Sequence, residues 1–225
     1  MTRRVAAFGA LNQGSYDMFG HYLAQKIGAK ELRYMAAAPY PNAHAESEPG
    51  RPLRREALKD THCRAQLIRA VAADARAVDA LAADVRCMPC MSMLAFHDEV
   101  ERELGVPIIS LATALQTAYA DVDAVGVIHM PPARDRINDI FGDKALSPDA
   151  AFLAQLEEAE GNAELVYTIM RDIVTAWRDQ GLSHVLFARA DAPMADTSVA
   201  AKVDGIHIRS VFDCLADAVA RQVDG

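Results

Sequence analysis

At 225 residues, with 52% of them hydrophobic, the chain is long enough to bury a substantial core. Its charges are mixed in sign and sum to −8, which argues against nucleic acid or an anionic membrane surface as the main partner. No apolar stretch reaches the length of a membrane span, and nothing resembles a disordered tail or a low-complexity tract.

The first residues, Met1-Thr2-Arg3-Arg4-Val5, carry no signal-type apolar region and lead straight into a strand over Val5–Gly9. A turn follows, Gly9-Ala10-Leu11-Asn12-Gln13-Gly14-Ser15, and a helix is expected from near Tyr16. Glu31–Ala37 reads as a second strand, Pro39–Pro52 as a long loop, and Glu56–Ala83 as strongly helical. Val85–Pro89 is the next strand, Leu94–Leu104 its helix, and Pro107–Leu111 another strand.

The pattern then restarts. Asp123–His129 is a strand, Arg134–Phe141 a short helix, and Phe152–Gln180 a long helical stretch broken near Gly161. His184–Ala188 and Gly205–Ile208 read as strands, and Val211–Val223 closes the chain as a helix. Strands alternating with helices predict parallel sheets. The repetition predicts two pseudo-symmetric, Rossmann- or flavodoxin-like α/β lobes with an active-site cleft between them. Residues 1–100 with 205–225 form the first lobe, carrying Cys90, and residues 101–204 the second, carrying Arg189.

Four cysteines, Cys63, Cys87, Cys90 and Cys214, lack the spacing of a disulfide framework, which points to a reducing cytoplasm. Cys90 lies where the strand pattern gives way to an amphipathic helix. A thiol facing the first turn of a helix is favoured as thiolate by free N–H groups and the positive dipole end. The competing reading of Cys90 is a small buried apolar residue. Cys87-Met88-Pro89-Cys90 superficially offers a redox or metal pair, but no second pair accompanies it.

The run Met88-Pro89-Cys90-Met91-Ser92, the helix Phe96-His97-Asp98-Glu99-Val100 and the segment Gly105-Val106-Pro107-Ile108-Ile109 together resemble the aspartate/glutamate racemase superfamily. Members carry Pro-Cys-Asn-Thr, a helix and a Val-Pro-Ile strand at this spacing. Val125-Gly126-Val127-Ile128 resembles the strand opening their second lobe. Val185-Leu186-Phe187-Ala188-Arg189-Ala190-Asp191-Ala192-Pro193 resembles their second cysteine motif, Gly-Cys-Thr-Glu-x-Pro.

The resemblance implies a cofactor-independent isomerase, without metal, acting at the α-carbon of a small amino or carboxylic acid. It also implies self-association as a homodimer. Such chemistry wants a base on one face of the α-carbon, an acid on the other, and donors for the carboxylate. By the resemblance, Cys90 is the base or nucleophile, and Asn12, Gln13, Ser15, Met91, Ser92 and Ala190 lie at substrate-binding positions.

The chain departs from the pattern at the second thiol, where Arg189 stands, and at the asparagine, where Met91 stands. His129-Met130-Pro131-Pro132-Ala133-Arg134 replaces the Gly-Thr-x-x-Ser stretch that opens the second lobe's loop. Arginine stays charged and serves poorly as a base, but it binds carboxylates and stabilises an enediolate. Arg189 is therefore expected as an anion clamp and His129 as a candidate general acid. Arg51, Arg54 and Arg55 follow a loop that could carry a second carboxylate contact, against the plainer reading of a solvated basic run. Two alternatives remain: a single-cysteine decarboxylase or cis–trans isomerase, and a non-catalytic protein that keeps the fold and holds a small anion.

Overall fold

The computed structural model describes residues 2–10, 12–39, 57–129, 134–159, 162–188 and 203–224. It is an α/β protein with two parallel sheets. Contacts divide the chain into two compact units, Met1–Ala114 with Leu215–Gly225, and Leu115–Cys214.

The first unit is built on β1 (Arg3–Ala7), α1 (Gln13–Ile27), β2 (Leu32–Ala36), α2 (Thr61–Ala77), β3 (Val85–Cys87) and α3 (His97–Leu104). Its strands are parallel in the order β2-β1-β3. β1 is central, and its Val5, Ala6 and Ala7 are buried, as a strand covered on both faces requires. Small alanines there let helices pack closely. Phe19 and Leu23 of α1 and Leu67, Val71 and Ala75 of α2 are fully buried as well.

The strand expected over Pro107–Leu111 is reduced to one residue. Ile109 bridges Cys87 in parallel, its N–H donating to the Arg86 carbonyl at 2.8 Å. That pairing carries the first unit on to Ala114, beyond the boundary expected at residue 100. Leu111–Ala118 is a helix, α4, beginning at the residue where the expected strand was to end. The Ser110 hydroxyl starts it by accepting the Thr113 N–H at 3.3 Å.

The second unit holds β4 (Val125–His129), α5 (Arg134–Phe141), β5 (Ala145–Leu146), α6 (Ala150–Glu158), α7 (Ala163–Asp179), β6 (His184–Ala188) and β7 (His207–Ser210). The sheet is parallel in the order β5-β4-β6-β7. Because β7 pairs with β6, residues 205–214 belong here, and the last helix, α8 (Val211–Asp224), belongs to the first unit only from Leu215 onward. α7 buries Val166, Ile169, Met170, Ile173, Val174 and Trp177, a helical stripe against the sheet. Asn162 caps it, accepting the Leu165 N–H at 3.1 Å.

Gly126 shows how tightly α7 is seated. A Cβ built there would lie 2.4 Å from Trp177 Cε3 and 2.8 Å from Leu182 Cδ2. The Trp177 ring is itself buried in the core cluster with Ile173 and Val185. Gly126→Ala should therefore lower stability by about 1–3 kcal/mol through overpacking, read as a lower chemical-denaturation midpoint. An unchanged midpoint would mean that the ring swings aside without cost.

Candidate active site

Open parallel sheets bind ligands at the carboxyl ends of their strands, where the strand order reverses. In the first unit that reversal lies between β1 and β3. Their register pairs Ala7 with Cys87, so Phe8–Ala10 and Met88–Cys90 leave the sheet side by side. The Phe8 N–H donates to the Cys87 carbonyl at 3.2 Å. Gly9 has a φ of +73°, and a Cβ there would lie 3.3 Å from both Met88 Sδ and Val71 Cγ1. Glycine thus lets the first turn close on the loop that carries Cys90.

Cys90 occupies the position before a 3₁₀ turn, Met91–Phe96, in an extended conformation. Its N–H donates to the Met88 carbonyl at 2.9 Å, and its carbonyl accepts the Met93 N–H at 3.1 Å. The residue is 9% exposed. The helix expected from Leu94 begins instead at His97, after this tighter turn. Pro89 and the bond from Met93 wind the backbone into 3₁₀ geometry, so Cys90 does not head an α-helix. Met91 is buried. Ser92 is half-buried, with its hydroxyl uncommitted among the described residues.

Cys87 has a different environment. It is fully buried in β3, its thiol directed to the Ala6 carbonyl at 3.7 Å. Burial pushes its ionisation far above the ordinary cysteine range, so it stays a neutral core thiol.

In the turn after β1, Asn12 Oδ1 accepts both the Ser15 N–H at 2.8 Å and the Ser15 hydroxyl at 3.0 Å. This is helix capping, and it fixes where α1 starts. Gln13 donates to Asp17 at 2.8 Å along the exposed face of α1. The residue that ties this turn down was not among the sequence candidates. Tyr16 is fully buried, and its hydroxyl oxygen accepts the Ala10 N–H at 3.0 Å. Its own carbonyl accepts the Tyr34 hydroxyl at 3.0 Å. Burial above all keeps the Tyr16 phenol protonated well beyond the usual range. Cys90, Asp74 and Cys87 push the same way, against the Ala10 hydrogen bond. The available signal was an aromatic residue with a polar tip in the first turn of the helix after a strand.

In the second unit the strand order reverses between β4 and β6, which end in the register pair His129 and Ala188. His129 is fully buried, with Nε2 3.0 Å from the Ser147 hydroxyl. The chain therefore places His129 where its sheet would present a ligand-binding group, but holds it in a polar contact already made. Arg189, next after Ala188, lies outside the described residues. So do Ala190, the loop Met130–Ala133, the break at Gly161 and the arginines Arg51, Arg54 and Arg55.

No family model matches the sequence, and a search of curated proteins gives no match. Solved structures do match. The chain is similar to an aspartate racemase from Picrophilus torridus with a TM-score of 0.67 and 13% identity, covering 99% of this chain and 94% of that one. It is similar to an allantoin racemase from Klebsiella pneumoniae with a TM-score of 0.66 and 14% identity, covering 100% and 88%. A glutamate racemase from Francisella tularensis, solved with D-glutamate, matches with a TM-score of 0.60 and 15% identity, covering 98% and 80%. The likeness is one of fold: the chain has the α/β architecture of these racemases along almost its whole length.

Proposed function

We propose that this protein is a cofactor-independent isomerase of the aspartate/glutamate racemase superfamily, acting at the α-carbon of a small amino or carboxylic acid. The observation that carries the reading is the place of Cys90. It stands at the carboxyl end of β3, beside the strand-order reversal, in a loop locked onto the β1–α1 turn. The racemase fold supports the same reading.

In this mechanism the Cys90 thiolate takes the proton from the α-carbon and becomes a thiol. The electron pair left behind spreads into the substrate carboxylate, which becomes an enediolate. Arg189 holds that carboxylate, and its fixed positive charge favours the enediolate over the ground state. Ser92 supplies a further hydroxyl donor. Return of a proton to carbon completes the cycle. Delivery on the opposite face inverts the centre, and delivery on the same face gives only exchange with solvent.

A second reading is a protein that keeps the fold and binds a small anion without turnover. It is favoured by Arg189 at the second thiol position and by the buried contact of His129 with Ser147. A single-cysteine decarboxylase or cis–trans isomerase is a third use of the same residues.

The deciding experiment incubates the protein in D₂O with a panel of D- and L-amino acids and small carboxylic acids, followed by mass spectrometry and chiral chromatography. Deuterium entering the α-position of at least one compound, at a rate set by Cys90, is the expected result. Uptake no faster than with heat-denatured protein across the panel would favour the binding protein.

A further inference from the structure

We infer that the groove between α2 and α3 is a second binding site, for a small organic oxyanion: a carboxylate or phosphate ester on a short apolar stem. Thr61, Arg64, Ala65, Ile68 and Arg69 of α2 line it with Glu99, Arg102 and Glu103 of α3. The spacing places each set on one helical face, so two neighbouring helices present a shared trough. Its volume is about 390 Å³, within the range of pockets that hold small molecules.

The charges in the groove are unevenly committed. Both oxygens of Glu99 are held by Arg64, whose Nε lies 2.7 and 3.0 Å from them and whose Nη2 lies 2.6 Å from one. Glu103 is engaged by Arg76, which donates to its carbonyl at 2.9 Å and stands 3.9 Å from its carboxylate. The two acids are thus matched by cations. Arg69 and Arg102, both exposed, make no hydrogen bond or ion pair among the described residues. Their guanidinium forks fit carboxylate or phosphate oxygens, and on an otherwise acidic protein they form a local positive trough. Ala65 and Ile68 offer an apolar floor to a stem, and the Thr61 hydroxyl a further donor.

Arg64 connects this groove to the turn after Cys90. Besides Glu99, it donates to the Ala95 carbonyl at 3.2 Å and lies 5.2 Å over the Phe96 ring. Among the described residues, neither Cys90 nor His129 lines the groove, so the site is proposed as separate from that of the proposed reaction.

The test is calorimetric titration of the full chain with phenyl phosphate and, separately, phenylacetate. At least one probe should bind saturably at one site per chain. Arg69→Gln and Arg102→Gln should each weaken it about tenfold or more, while Arg136→Gln, at a surface arginine of the other unit, leaves it unchanged. Binding of only one probe assigns the ligand class to phosphate or to carboxylate. Because both arginines are exposed, the variants should keep the parent melting temperature, which is checked alongside. No saturation by either probe up to ~10 mM, or equal weakening by Arg136→Gln, overturns the site.

Discussion

Cys90→Ala should remove turnover of whatever substrate the deuterium screen identifies, by about 10²–10⁴-fold, while leaving the fold in place. The position tolerates the loss of sulfur because it lies at the edge of the core: Cys90 is 9% exposed, whereas Cys87 is 0%. Its structural work is done by backbone groups, the N–H to Met88 and the carbonyl to Met93, which alanine keeps. Serine also fits, but its hydroxyl is far less acidic and should be nearly as inactive. Denaturation midpoints of the two variants should stay close to the parent, so that lost activity reports chemistry and not unfolding. The same thiol should be the fast-reacting one in alkylation at neutral pH, protected by a small dicarboxylate. Cys87, buried and held neutral, should react only on unfolding. Full activity in Cys90→Ala would make Cys90 a packing residue and put the base on another group.

The strand–helix alternation was legible because buried parallel strands are short apolar runs and their helices carry a 3.6-residue stripe. His184–Ala188 and Arg134–Phe141 fall where the sequence puts them. What escaped were elements whose pairing is decided by neighbours. β5 has two residues and exists because β4 offers it an edge. Ile109 pairs at a single position, while Leu111–Ala118 follows a serine cap into a helix that begins where the expected strand ends.

At the candidate site, the place of Cys90 just after a strand was legible in the sequence, but the winding of the next turn was not. Six residues of 3₁₀ helix separate Cys90 from α3, because the turn bond from Met93 to Cys90 competes with α-helical pairing. Thiolate stabilisation by an α-helix terminus therefore does not apply as expected. Donors close to the thiol must come from the turn itself, from Ser92, or from the substrate's own surroundings. Tyr16 escaped because its role is to fasten one turn to a buried hydroxyl, a long-range arrangement that no spacing rule reveals.

Arg189→Gln should weaken binding of carboxylate ligands by about 2–5 kcal/mol, the loss expected when a close charge-assisted contact is removed, and should lower turnover with it. The opposing proposal treats Arg189 as a neutral replacement for a lost thiol, so that Arg189→Cys restores a two-thiol site and raises racemisation. The sequence favours the clamp, since Met91, Ala190 and the Pro131-Pro132 loop depart from the family pattern together with Arg189. Coordinated departures indicate a remade pocket, and a remade pocket needs the positive charge that cysteine would remove. Carboxylate affinity by calorimetry and inversion by chiral chromatography separate the two. Lost affinity in both variants supports the clamp, whereas gained inversion with retained affinity in Arg189→Cys refutes it. Efficient racemisation by the unaltered protein would locate the second acid elsewhere. His129 would then have to leave its contact with Ser147 to serve, and His129→Gln would abolish inversion while sparing deuterium exchange at the Cys90 face.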